Sequence, residues 1–251
     1  MSATLAGADA GARGAWMALV KAASAPYRKA SRFAWMFARH KLLLDPVFRH
    51  LLRHGLIAPR AQVLDIGCGQ GLLASLLCAA AARAREDRWP CGWAAAPLDA
   101  RVTGIELMRQ DVQRARAALG DAAEFVCGDM RRTPFPRADT VVILDALHYI
   151  GIAEQDAVLE RVRLALSPGG RLLLRVGDAA ARRRFRVSQW ADRIITFVRG
   201  HRVMPVFCRP LAAWQARLEA LGFCVQALPM SRGTRFANVL LVARLAPQGP
   251  A

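Results

Sequence analysis

Lysine, tyrosine and acidic residues are all scarce in this 251-residue chain. It has three lysines (Lys21, Lys29, Lys41), two tyrosines, and 19 Asp plus Glu against 36 Lys plus Arg. Its six cysteines (Cys68, Cys78, Cys91, Cys127, Cys208, Cys224) form no C-x-x-C pair and show no metal-ligand rhythm, so no metal centre is expected. Several sit in apolar runs, where a thiol acts as a small hydrophobe, and they read as reduced and cytosolic. No stretch reaches the ~18 uninterrupted apolar residues of a membrane-spanning helix. The run from Ala15 to Val20 stops at Lys21, shorter than the ~7–15 residues of a secretory core. The expectation is a soluble cytoplasmic protein, at most peripheral to the inner face of a membrane. No G-x-x-x-x-G-K-[ST] occurs, which excludes a P-loop phosphate cradle.

What is present is a core-forming composition, 54% hydrophobic and 22% charged, which excludes disorder on compositional grounds. The length fits one large domain, or a domain with a cap. The net charge of +17 is unevenly spread: +8 over residues 1–60, −1 over residues 61–179, and +10 over residues 180–251. A near-neutral middle is therefore flanked by two basic segments, where any electrostatic role must lie.

Residues 1–14 are Ala/Gly-rich and aperiodic, and are expected to be a frayed, flexible N-terminus. Residues 15–58 read as a helical cap, with helical spacing from Ala15 to Leu44 and a second helix from Pro46. From residue 59 on, strands alternate with helices: strands at 62–66, 101–107, 123–127, 140–144 and 171–176, helices at 72–84, 110–119 and 155–166. Two more strands, 223–228 and 238–244, close the chain as an antiparallel edge, after a basic helical insertion at 180–222. This alternation predicts an α/β fold, a doubly wound, Rossmann-like, mostly parallel sheet of seven strands, with ligands at the carboxyl ends of its strands.

The informative segment is Val63-Leu-Asp-Ile-Gly-Cys-Gly-Gln-Gly71, an apolar strand running through three glycines into a helix. Glycine allows close backbone approach to a ligand, and a helix start offers unpaired N–H groups. A dinucleotide fingerprint would place its third glycine at position 72, which is Leu72. Asp65, two residues before Gly67, suits a cationic ligand better than a pyrophosphate. The segment resembles the first motif of class I S-adenosylmethionine-dependent methyltransferases. The resemblance continues in order through Val102-Thr-Gly-Ile-Glu-Leu107, Phe125-Val-Cys-Gly-Asp-Met130, Thr140 to Tyr149, and Leu166-Ser-Pro-Gly-Gly170.

The resemblance implies S-adenosyl-L-methionine as cofactor, held by Asp65, Gly67, Cys68, Gly69 and Gly71 on the first turn. It implies Glu106 on both ribose hydroxyls with Leu107 beside it, Asp129 at the adenine amino group, and Met130 against the ring. Asp145 would orient the neighbourhood or meet the amino-acid end of the cofactor. His148 and Tyr149 are candidates for catalysis, placed to take a proton from a hydroxyl acceptor. From position alone, Arg39 or Lys41 would meet the cofactor carboxylate, and Ser231, Thr234 and Asn238 would line the pocket. Ser24 to Lys41 interleaves aromatic and basic residues, giving either a cap over an aromatic or acyl substrate or a basic surface for anionic lipid. The expected partner is a small-molecule acceptor, free or on an acidic carrier protein docked by Ala181 to Arg186. The flanks are similar to methyltransferases of bacterial aryl-polyene pigment clusters. A nucleic-acid methyltransferase is the competing reading from charge, but the Asn/Asp-Pro-Pro-Tyr/Phe sequence of base-amino methylation is absent after the fourth strand. A non-catalytic cofactor-binding protein is the third.

Overall fold

The computed structural model describes residues 2–177, 206–230 and 238–245, with side chains from residue 11 on. Residues 180–205 of the expected basic insertion, Ala181 to Arg186 among them, and Ser231 and Thr234 lie outside the described residues. Seven strands form a mostly parallel sheet in the order β3-β2-β1-β4-β5-β7-β6, as the alternation predicts. The chain divides into two compact units, Met1–Asp129 and Met130–Ala251.

In the first unit, α1 spans Ser2–Ser24. The helix therefore begins at Ser2, not at Ala15 as the aperiodicity suggests. Five alanines between residues 3 and 12 favour helix enough to carry Gly7, Gly11 and Gly14. The expected continuous periodicity to Leu44 is broken by a one-turn 3₁₀ segment, Ala25–Lys29, with Pro26 in its first turn. Ser31 then caps α2 (Arg32–Leu44), its hydroxyl accepting from the Ala34 N–H at 3.0 Å. Asp45 caps α3 (Pro46–Arg53) in the same way, with Pro46 at a position that has no N–H to lose. The strands β1 (Gln62–Ile66), β2 (Arg101–Glu106) and β3 (Glu124–Cys127) pair in parallel, Asp65 opposite Gly104 and Glu106 opposite Cys127. The helices α4 (Leu72–Arg85) and α5 (Arg109–Leu119) follow β1 and β2. Val63, Leu64, Ile66, Leu73, Leu76, Leu77, Ile105 and Phe125 are buried.

In the second unit, β4 (Ala138–Leu144) pairs in parallel with β5 (Leu166–Gly177), and α6 (Ile152–Ala165) lies between them in sequence. The register jumps from Ala138↔Leu166 to Thr140↔Arg171, so Ser167-Pro-Gly-Gly170 is a bulge inside β5, not only a turn before it. Gly169 is left-handed (φ +72°), and a Cβ on Gly170 would lie 2.8 Å from the Ser167 carbonyl. After α7 (Leu211–Ala220), β6 (Phe223–Pro229) and β7 (Asn238–Leu245) close the sheet antiparallel, β7 against β5. No helix among the described residues is long and apolar enough to cross a membrane.

Candidate active site

The turn after β1 is left-handed at three points, with φ +74° at Gly67, +57° at Gly69 and +77° at Gly71, a path that L side chains rarely follow. It is pinned to the end of β2: the N–H groups of Gly67 (2.8 Å) and Cys68 (3.2 Å) both donate to the Ile105 carbonyl. At Gly71 a Cβ would also sit 2.7 Å from the Phe125 ring, so packing demands glycine there as well as conformation. Cys68 is buried, and burial raises its thiol pKa well above the ordinary value, so its sulfur fills space beside the turn and is not a nucleophile.

Glu106 stands at the end of β2 as the motif order implies. Its Oε2 accepts from the Gly69 N–H and its Oε1 from the Met108 N–H, each at 2.9 Å. Two main-chain donors thus fix the carboxylate plane against the glycine turn. Each oxygen keeps a second lone pair, and this is the donor-accepting geometry that a vicinal diol needs. Asp65 is 4% exposed. Burial, and then the Glu106 charge, push its carboxyl up to about 7. An acid held this way gains from a nearby cation, because a positive charge favours its ionised form. Leu107 is 59% exposed beside Glu106.

Sequence reasoning missed how the N-terminal helices grip this turn. The buried Tyr27 hydroxyl donates to the Gln70 carbonyl (2.8 Å), and Gln70 Nε2 donates to the Ala34 carbonyl of α2 (2.9 Å). The Ser75 hydroxyl donates to the Ala23 carbonyl at the end of α1 (2.6 Å). Tyr27, Gln70 and Ser75 are all buried. A glutamine inside a glycine-rich turn was the available signal: it is the one long polar side chain there. Lys41, a positional candidate for the cofactor carboxylate, forms an ion pair with Asp45 at 2.7 Å, and Arg39 is half-buried.

Asp129 follows β3 and is half-buried. Met130, half-buried at the start of the second unit, gives its carbonyl to Arg161 Nη1 at 2.8 Å. Asp145 follows β4 in a left-handed conformation (φ +57°), an uncommon state for a residue with a side chain. Its carboxylate takes Nε (2.8 Å) and Nη2 of Arg175, a two-pronged pair. Arg175 lies on β5 and is 2% exposed, so Asp145 neutralises a buried cation.

His148 lies in a one-turn 3₁₀ segment, Leu147–Tyr149, with its ring 4.2 Å from that of Tyr149 at 52°. Nε2 is buried without a hydrogen-bond partner among the described residues. Burial holds the imidazole below its usual pKa; Asp145 opposes that shift and Arg175 adds to it. The ring is therefore neutral at pH 7, with one nitrogen able to accept a proton. Its backbone is anchored by the Phe207 N–H on the His148 carbonyl at 2.8 Å. Beneath it, the fully buried Gln155 of α6 reaches the carbonyls of Leu147 (3.2 Å), Ile150 (3.0 Å) and Phe207 (2.8 Å) through Nε2. Arg209 Nε donates to Gln155 Oε1 (2.9 Å), and Arg209 also pairs with Asp156 (2.8 Å) and covers the Trp214 ring. Gln155 has no sequence signature beyond a polar residue on an apolar helix face.

Residues 64–172 match the family model described as "Methyltransferase domain". The 8-O-methyl transferase of tetracenomycin polyketide synthesis from Streptomyces glaucescens is 39% identical to this chain over 54 residues, 22% of the chain and 16% of that protein. A carboxy-S-adenosyl-L-methionine synthase from Chromohalobacter salexigens is 32% identical over 130 residues, 48% of the chain and 43% of that protein. The chain thus spans less than half the length of either relative. In fold, the chain is similar to magnesium protoporphyrin IX methyltransferase from Synechocystis with bound SAH. The TM-score is 0.55 at 20% identity, covering 86% of this chain and 88% of that one. The matched segment contains Asp65, the glycine turn, Glu106, Asp129, Asp145 and His148.

Proposed function

We propose that the chain transfers a methyl group from S-adenosylmethionine to an oxygen of a small, hydrophobic, aromatic acceptor. The observation that carries the reading is the Glu106 carboxylate, locked on the glycine turn by two main-chain donors with a lone pair open on each oxygen. The match to a methyltransferase-domain model supports the cofactor class, and the similarity to a polyketide 8-O-methyl transferase supports oxygen as the acceptor atom.

When bound, the cofactor supplies a methyl group activated by its positively charged sulfur. Glu106 would accept from the two sugar hydroxyls and Asp129 from the adenine amino group, and Met130 would pack on the ring. Asp65 provides negative charge behind the turn. His148 Nε2 takes the proton of the acceptor hydroxyl as that oxygen becomes the nucleophile, and Tyr149 packs against the imidazole. Asp145, fixed by Arg175, and Gln155 hold the His148 segment in place. Orienting the acceptor in this way can contribute about 7–11 kcal/mol, so no covalent participation by the protein is needed.

The test is incubation of the full chain with methyl-labelled S-adenosylmethionine and a panel of polycyclic phenols and hydroxybenzoates. A labelled methyl ether is expected. Cofactor consumption that leaves every acceptor unlabelled would favour chemistry like that named for the carboxy-S-adenosyl-L-methionine synthase, and the reading would fail.

A further inference from the structure

From Ala15 to Leu44 the chain holds Lys21, Arg28, Lys29, Arg32, Arg39 and Lys41, and no Asp or Glu. Within it, α2 has two contrasting faces. Ala34, Ala38 and Leu42, spaced by four, are fully buried. On another stripe Phe33 and Met36 are each 42% exposed and Leu44 is 69% exposed. His40, exposed, stands between Met36 and Leu44 at the same helical spacing. Phe37 stacks beside Phe33. Arg32, Arg28 and Lys29 are exposed at the N-terminal end of this stripe. The Arg28 guanidinium lies 4.8 Å over the Trp35 ring and that of Arg114 lies 5.2 Å over Phe33, so cations border the apolar row.

We propose that this outer face of α2 docks on an anionic phospholipid bilayer, Phe33, Met36 and Leu44 entering the acyl boundary while Arg28, Lys29 and Arg32 meet lipid phosphates. Exposed apolar side chains along a helix bordered by cations are the pattern of an interfacial helix. Charge complementarity selects the occupant: near an anionic leaflet each basic side chain strengthens partitioning about fivefold, and no carboxylate in residues 15–44 opposes it. This inference does not depend on the methyl-transfer reading.

The test is sedimentation of the full chain with phosphatidylcholine vesicles containing about one third phosphatidylglycerol, and with pure phosphatidylcholine vesicles. Partitioning into the anionic vesicles is expected to be at least about tenfold stronger, and to weaken as salt is raised. The Met36→Asp/Leu44→Asp double variant is expected to lose about tenfold or more, with its unfolding temperature unchanged, and Lys29→Glu/Arg32→Glu to lose a similar amount. Equal partitioning into both vesicles, or wild-type partitioning by the Met36→Asp/Leu44→Asp variant, overturns the proposal. So does a chain that ignores anionic vesicles but is retained on immobilised polyglutamate, since the face would then be a docking site for acidic protein.

Discussion

Asp65→Asn should stabilise the protein at alkaline pH and do nothing at acid pH. The carboxyl is buried beside Glu106 and its pKa is raised from 3.8 to about 7. Below pH 3.8 both folded and unfolded chains hold the proton, and the group contributes no pH dependence. Between 3.8 and 7 the unfolded chain releases it while the folded chain retains it. Stability then falls with rising pH, by about 1.4 kcal/mol per unit for this one group. Above 7 the penalty is constant at up to about 4 kcal/mol, an upper bound because the surroundings can relax around the charge. Asn keeps the shape and removes the titration. Urea unfolding of both proteins at pH 4, 6 and 8 should give curves that diverge by about 2–4 kcal/mol across the series. Curves that stay parallel to within about 0.5 kcal/mol, the error of the measurement, would refute a raised pKa at Asp65. A bound cation should also lower that pKa, so binding of a sulfonium nucleoside should release protons near pH 6–7 and strengthen as the pH rises through 7.

Gly104→Ala places a Cβ 2.7 Å from the Cys68 sulfur and 2.9 Å from the Phe125 ring, so urea unfolding should show a loss of about 1–3 kcal/mol, partly restored by Cys68→Ala. Gln155→Leu leaves three carbonyls and Arg209 without their partner and should lower stability by about 2–4 kcal/mol, read as a fall of about 5–15 °C in calorimetry. His148→Ala should lower kcat on a phenolic acceptor by about 10²–10⁴ with cofactor KM little changed. Because burial lowers the imidazole pKa, the wild-type rate should rise with pH through a midpoint below 6.5. A rate that His148→Ala leaves intact would remove the imidazole from the reaction.

What the sequence revealed was local. β1 falls on Gln62–Ile66 and α4 starts at Leu72 because an apolar strand, three glycines and an apolar helix follow without interruption, each step set by neighbours in the chain. β2 ends at Glu106, one residue before the expected end at 107. The Gly69–Glu106 bond joins residues 37 apart, and the Gln155–Phe207 bond joins residues 52 apart; no periodicity announces either. Arg175 reads as a surface residue in an apolar strand until the pairing of β4 with β5 sets it beside Asp145. At the N-terminus the aperiodic Ala/Gly run suggested fraying, yet alanine's backbone preference extends α1 to Ser2. Composition there outweighs amphipathic pattern.

Calorimetric titration of the wild type and Glu106→Ala with S-adenosylmethionine bears most directly on the account. Glu106 is expected to contribute charge-assisted hydrogen bonds, each of about 1.5–3 kcal/mol. The wild type should therefore bind one equivalent, and Glu106→Ala should bind at least about tenfold more weakly. A wild type that takes up neither the nucleoside nor its demethylated product, or a Glu106→Ala variant that binds as tightly, would contradict the account.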